Sequence, residues 1–132
     1  MTKKRVTGFV ITAVFMISMV GTSIAGTATG RTAGGTLGNT TYSFTVSEAH
    51  QAYGTAASFG ASCGNRVEKL QVTNMIYDRY DGTGGTLSDY VGINVFVYSK
   101  TTGISSSSIK SAMARFTITS SNFGKADKIV SK

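Results

Sequence analysis

The chain has no proline and no tryptophan, one cysteine and one histidine. With Cys63 alone no intramolecular disulfide is available, so a folded domain must be held by packing. His50 as the single histidine excludes a histidine metal cluster. A zinc site would have to combine His50, Cys63 and carboxylates, which show no recognisable ligand spacing. Without proline, one usual means of blocking sheet edges is missing. Acids are scarce as well, with six Asp and Glu against 13 Lys and Arg. Glycoside hydrolysis needs two carboxylates about 5–10 Å apart, and Glu48, Glu68, Asp78, Asp81 and Asp89 offer no motif that pairs them. A His50–Cys63 nucleophile and base has no local sequence support either.

One long apolar run is present, at the start. Lys3, Lys4 and Arg5 precede residues 6–20, and Ser23-Ile24-Ala25 then places small residues where a signal peptidase requires them. The run has 15 residues, interrupted by Thr7, Gly8, Thr12 and Ser18, whereas a spanning helix wants about 20 apolar residues. Residues 1–25 are therefore expected to be a signal peptide cleaved between Ala25 and Gly26, with an uncleaved anchor as the alternative. The Lys-Lys-Arg start suits a bacterial source. Cleavage would leave 107 residues carrying ten Lys and Arg against six acids, a net charge of +4, and the membrane would be met only through the leader. The remaining cations are scattered apart from Lys125, Lys128 and Lys132, which argues against a nucleic-acid track.

Residues 26–40, rich in glycine and threonine, lack core material and are expected to form a flexible lead or a weak edge strand. Residues 41–132 are expected to form a single β domain. Tyr42, Phe44 and Val46 alternate with hydroxyl residues, the period of a half-buried strand. Residues 47–53 fit either one helical turn or an irregular crossing. Cys63-Gly64-Asn65 reads as a turn reversing a short strand over 56–61, and a longer strand carries Leu70, Val72 and Ile76 on one face. The glycine-rich residues 81–86 form the strongest turn signal and should join that strand to residues 90–100 as a hairpin. There Val91, Ile93, Val95 and Val97 fill one face while Phe96 and Tyr98 make the other apolar, which predicts a central or covered strand. Ala114, Phe116 and Ile118 resume the alternation, and a short strand over 127–131 follows. Six or seven one-sided strands without a long helix predict an all-β fold: a small antiparallel β-sandwich, or alternatively a partly open β-barrel.

Three surface features carry candidate chemistry. Asp78, Asp81 and Asp89 could offer oxygen ligands to calcium from the loop, although the spacing departs from the EF-hand pattern. Tyr77, Tyr80 and Tyr90 could gather as a binding surface for sugar or protein, against ordinary cross-strand packing. Asn39-Thr40-Thr41 matches a glycosylation sequon, which matters only in a host with the eukaryotic pathway and is taken as a chance match on the expected bacterial source. No cofactor is implied. The composition points to an exported, non-enzymatic β domain at the cell surface or outside the cell, binding an unknown protein or cell-wall partner or self-assembling. The alternative is a basic antibacterial effector drawn to anionic envelopes, against which the lack of a basic amphipathic helix counts.

Overall fold

The structure, a computed structural model, describes residues 28–132; the leader and the Ala25–Gly26 junction lie outside the described residues. The described chain is all-β. Its strands are β1 (Ala28–Leu37), β2 (Thr40–Gln51), β3 (Gly54–Arg79), β4 (Gly84–Thr86), β5 (Tyr90–Thr101), β6 (Ile109–Ser120) and β7 (Gly124–Ser131). All seven belong to one antiparallel sheet of order β1-β2-β3-β6-β7, with β4 and β5 attached to β3. The sheet curls until its two ends, β1 and β7, touch without hydrogen bonding. The layers expected from one-sided strands are thus joined as a nearly closed, barrel-like sheet.

The device that curls the sheet is β3, which runs for 26 residues. Cys63-Gly64-Asn65 is not a reversing turn. The true reversal is at Ala52 and Tyr53, between β2 and β3, and β3 passes through residues 63–66 as a bulge in its ladder with β5. A bulge adds residues on one strand, bends it and increases its twist. At this bend Gly64 lies so close to Thr41 that a Cβ would stand 2.8 Å from the threonine Oγ1. Along one edge β3 pairs with β2 and then with β6; along the other it pairs with β5 from Ser58 to Val72. Residues 47–51 continue β2 as strand, without the helical turn or irregular crossing that their composition also allowed.

Ala28–Leu37, from the glycine- and threonine-rich segment, is hydrogen-bonded to β2 along ten positions. Backbone pairing needs no large side chains, and Leu37 supplies a buried anchor. The core is largely the alternating residues read from the pattern, except that Ile76 is exposed and Met75 is buried in its place, because the register shifts at the left-handed Asn74 between Thr73 and Ile76. Phe44, Val46, Phe59, Leu70, Val72, Phe116 and Ile118 are fully buried. Phe44 of β2 stacks on Phe116 of β6 with ring centroids 5.0 Å apart and on Tyr42 at 4.8 Å. Since β2 and β6 succeed each other along one edge of β3, this stack bridges the two halves of the curled sheet.

One end of the barrel is strapped by a buried arginine. Arg79 closes β3 and donates from Nη1 to the carbonyls of Thr55 (3.2 Å) and Ser107 (2.7 Å), and from Nη2 to that of Gly103 (2.8 Å). Its planar fork fits this spread of acceptors as a lysine point charge would not. The segment between β5 and β6 is thereby folded onto the start of β3, where Ser105 also exchanges backbone hydrogen bonds with Thr55. Close by, buried Glu48 accepts a 2.6 Å hydrogen bond from the Ile109 amide through Oε2.

Candidate functional site

The feature of this surface that calls for a role is β5. The expectation of a central or covered strand is not met: β5 pairs with β3 alone, and its other edge is unpaired among the described residues. Sequence pattern cannot tell a strand covered by a neighbour from one that is apolar and uncovered, since both are apolar on two faces. Ile93 lies opposite Lys69 and Val91 opposite Gln71, so both point to the outer face of the sheet. Ile93 is 67% exposed, Val91 56% and Phe96 45%. These positions span about 17 Å of strand at about 3.3 Å per residue. Single exposed apolar residues are ordinary, but a row along an open edge marks an interaction site or an aggregation hazard.

Local chemistry holds β5 in place. Asn94 adopts φ 56°, a left-handed conformation that asparagine tolerates better than most residues. Its carbonyl accepts a 2.9 Å hydrogen bond from Arg66 Nη1, and the same guanidinium lies over the Phe96 ring at 5.1 Å. On the inner face Tyr90 and Tyr98 meet with centroids 4.3 Å apart. Gly92 lies against the Tyr90 phenol, which a Cβ there would overlap. Burial and the nearby Tyr90 raise the Tyr98 phenol above its ordinary pKa. The inner face of β5 is thus fixed to the barrel while the outer face and outer edge stay open.

Tyr77, Tyr80 and Tyr90 do not form the expected cluster. Tyr77 packs against the core beside Arg79, Tyr80 is 71% exposed in the following turn, and Tyr90 takes Tyr98 as its ring partner. Cross-strand register decides this: Tyr90 pairs opposite Val72, away from the turn. The Tyr90–Tyr98 pair could have been suspected from their place on one strand, but not assigned without the β3 register.

The three calcium candidates are not brought together. Asp81 Oδ1 accepts hydrogen bonds from the Thr83 amide at 2.9 Å and hydroxyl at 2.6 Å, which lowers its pKa. Asp89 accepts from the Asn74 amide at 3.3 Å, and no group of three metal-ligating acids, histidines or cysteines occurs among the described residues. His50 and Cys63 sit at opposite ends of the β2–β3 ladder, opposite Thr55 and Tyr42 respectively, roughly 26 Å apart along the strand. Burial pushes the Cys63 thiol up to about 12, so it is protonated at neutral pH and a poor nucleophile.

Two further places contain charged groups. At the strapped end, Glu48 and Arg79 spend their hydrogen-bonding capacity on backbone, with His50 Nε2 3.4 Å from Glu48 Oε1. At the other end a cleft of about 340 Å³ is lined by Asn39, Asn65, Arg66, Glu68 and Phe123, among others. There Arg66 is committed to Asn94, and Glu68 accepts from the Ser121 amide at 3.0 Å and from its hydroxyl. Neither place offers an uncommitted ionic group aimed at a ligand. Lys132, from the cationic C-terminus, reaches the Ile109 carbonyl at 3.4 Å.

The outer face of β6 and β7 carries an exposed ion pair in which Arg115 Nε donates to Asp127 Oδ1 at 2.9 Å. Arg115 holds the Asp127 carboxyl below its usual range, and the Ser121 hydrogen bonds do the same for Glu68. A carboxyl depressed in the folded state adds stability that is complete above the unfolded value of about 4 and disappears as pH falls through the folded value. The melting temperature is expected to be level from about pH 5 to 8 and to drop below about pH 4. Asp127→Asn should make the acid limb shallower. Melting curves across this range check both statements, and a melting temperature that rises on acidification would contradict them.

Comparison with protein-family models, with curated proteins and with solved structures finds no match for this chain.

Proposed function

We propose that this protein is an exported β domain that works by binding rather than catalysis, at the cell surface or in the extracellular space, with the outer edge of β5 as its contact. The leader and small-residue junction support export. The observation that carries the binding reading is the open β5 edge with Val91, Ile93 and Phe96 exposed along it. Strand addition to such an edge gains main-chain hydrogen bonds, while alternate side chains give selectivity. The internal commitment of Glu48, Arg79, Arg66 and Glu68 gives these four side chains structural duties, which favours an interaction module over a carboxylate hydrolase.

The test is fractionation of the cells that make the protein, comparing the native chain with Ile93→Lys. The native chain is expected outside the cytoplasm in a complex larger than one copy. Because Ile93 is exposed, its replacement should shift folding stability by no more than about 0.5 kcal/mol while releasing the chain as a single copy. A cytoplasmic monomer, or a complex indifferent to Ile93→Lys, would overturn the proposal.

A further inference from the structure

We infer that the occupant of the β5 edge is a second copy of this chain, paired antiparallel across a two-fold axis at Asn94 or Val95. The inference rests on β5 being the contact surface. An isologous interface must be complementary to itself, each residue meeting its counterpart twice. The charges flanking β5 have this property. Asp89 immediately precedes the strand and Lys100 is next to its last residue, with no acid or lysine between them. In the antiparallel arrangement Lys100 of each copy falls within one position of Asp89 in the other, at both ends of the ladder. A parallel pairing would set lysine beside lysine and aspartate beside aspartate, which is unfavourable in a sheet.

The apolar residues are consistent with the same axis. With the axis at Val95, Ile93 of one copy comes opposite Val97 of the other, both outward, whereas an axis at Asn94 would set it against Val95, which packs inward on the core. The devices that normally keep strands apart are few here: proline is absent from the chain, and the single lysine of β5 stands at its end. The left-handed Asn94 bends the middle of the strand, and its carbonyl is already held by Arg66, so the strongest pairing is expected on either side of the axis. One strand edge is a small interface, at the low end of the range for specific complexes, which suits reversible association at about micromolar concentration.

Sedimentation equilibrium of the purified chain tests the inference. A monomer–dimer equilibrium is expected. Ile93→Lys should weaken it at least about tenfold, and Lys100→Glu by about threefold. Adding Asp89→Lys to Lys100→Glu should restore the affinity, a rescue that a merely structural effect would not give. A chain monomeric up to about 200 μM, well above the micromolar range expected of such an interface, or a dimer untouched by Ile93→Lys, overturns the inference. An association indifferent to the charge exchange overturns the two-fold register. If the purified chain is monomeric while the cellular complex still depends on Ile93, self-pairing fails and the binding reading stands. If the cellular complex is also indifferent to Ile93, both fall.

Discussion

Phe116→Ala is expected to cost about 3–5 kcal/mol, the usual range for removing a fully buried aromatic ring. Phe116 has no exposed surface and lies almost parallel to Phe44, with an interplanar angle of 5°. The stack connects β2 with β6, two strands that form no ladder and are otherwise joined by the hydrogen bond from the Ile109 amide to Glu48. Its loss should therefore loosen the closure of the sheet as well as leave a cavity. A domain of this size is stable by only about 5–15 kcal/mol, and no disulfide supplements it. Denaturant titration should show a midpoint far below that of the native chain, or no folded baseline. The more conservative Phe116→Leu should lose clearly less, since it fills part of the same volume. Equal stability of the alanine variant would mean that the stack does not hold the two halves together.

Arg79→Met is expected to destabilise by about 3 kcal/mol, despite replacing a charged group by an apolar one. Arg79 is 4% exposed and serves three carbonyls, one at the start of β3 and two in the segment between β5 and β6. Methionine would remove the charged donor from each of them, leaving the Ser105 amide on Thr55, the Thr55 hydroxyl on Ser107 and the Thr102 hydroxyl on Gly103, and a hydrogen bond from a charged group is worth about 1.5–3 kcal/mol. The segment between β5 and β6 would lose its main tie to β3. Arg79→Lys should recover only part of the loss, because one ammonium cannot reach acceptors spread across the face of a guanidinium. Urea titration measures the loss, and limited proteolysis should show earlier cleavage between Thr101 and Ile109. A variant as stable as the native chain would show that the carbonyls find other partners.

Much of the fold can be read from the residues themselves. Tyr42, Phe44 and Val46, then Leu70 and Val72, then Ala114, Phe116 and Ile118 alternate with polar residues, and these are the residues that fill the barrel. Asp81-Gly82 marks a turn in both sequence and structure, with Gly82 at φ 87°. Long-range pairing is what local pattern could not supply. Cys63-Gly64-Asn65 has the composition of a turn, yet β3 continues through it because β2, β5 and β6 bind the residues on either side. Arg79 is one of the scattered cations of the sequence, and it is buried because residues 102–108 lie over it.

The candidate site was partly legible for a related reason. The apolar richness of β5 was plain, but whether a strand is central or at an edge depends on what its neighbours leave uncovered. Tyr77, Tyr80 and Tyr90 are close in sequence across one glycine-rich turn, and that proximity suggested a cluster. The register of Tyr90 opposite Val72 separates them. Asp78, Asp81 and Asp89 fail as a calcium set because Asp81 and Asp89 are drawn to nearby backbone amides at different places.

The one open edge of β5 underlies both the binding surface and the self-pairing, and amide hydrogen exchange read residue by residue examines that edge itself. With Ile93→Lys keeping the chain monomeric, amides of Tyr90–Thr101 that point toward β3 should be protected, while the alternate amides on the outer edge exchange freely. Uniform protection along β5, equal to that of β2 or β6, would mean that the edge is covered within a single copy and would contradict the account.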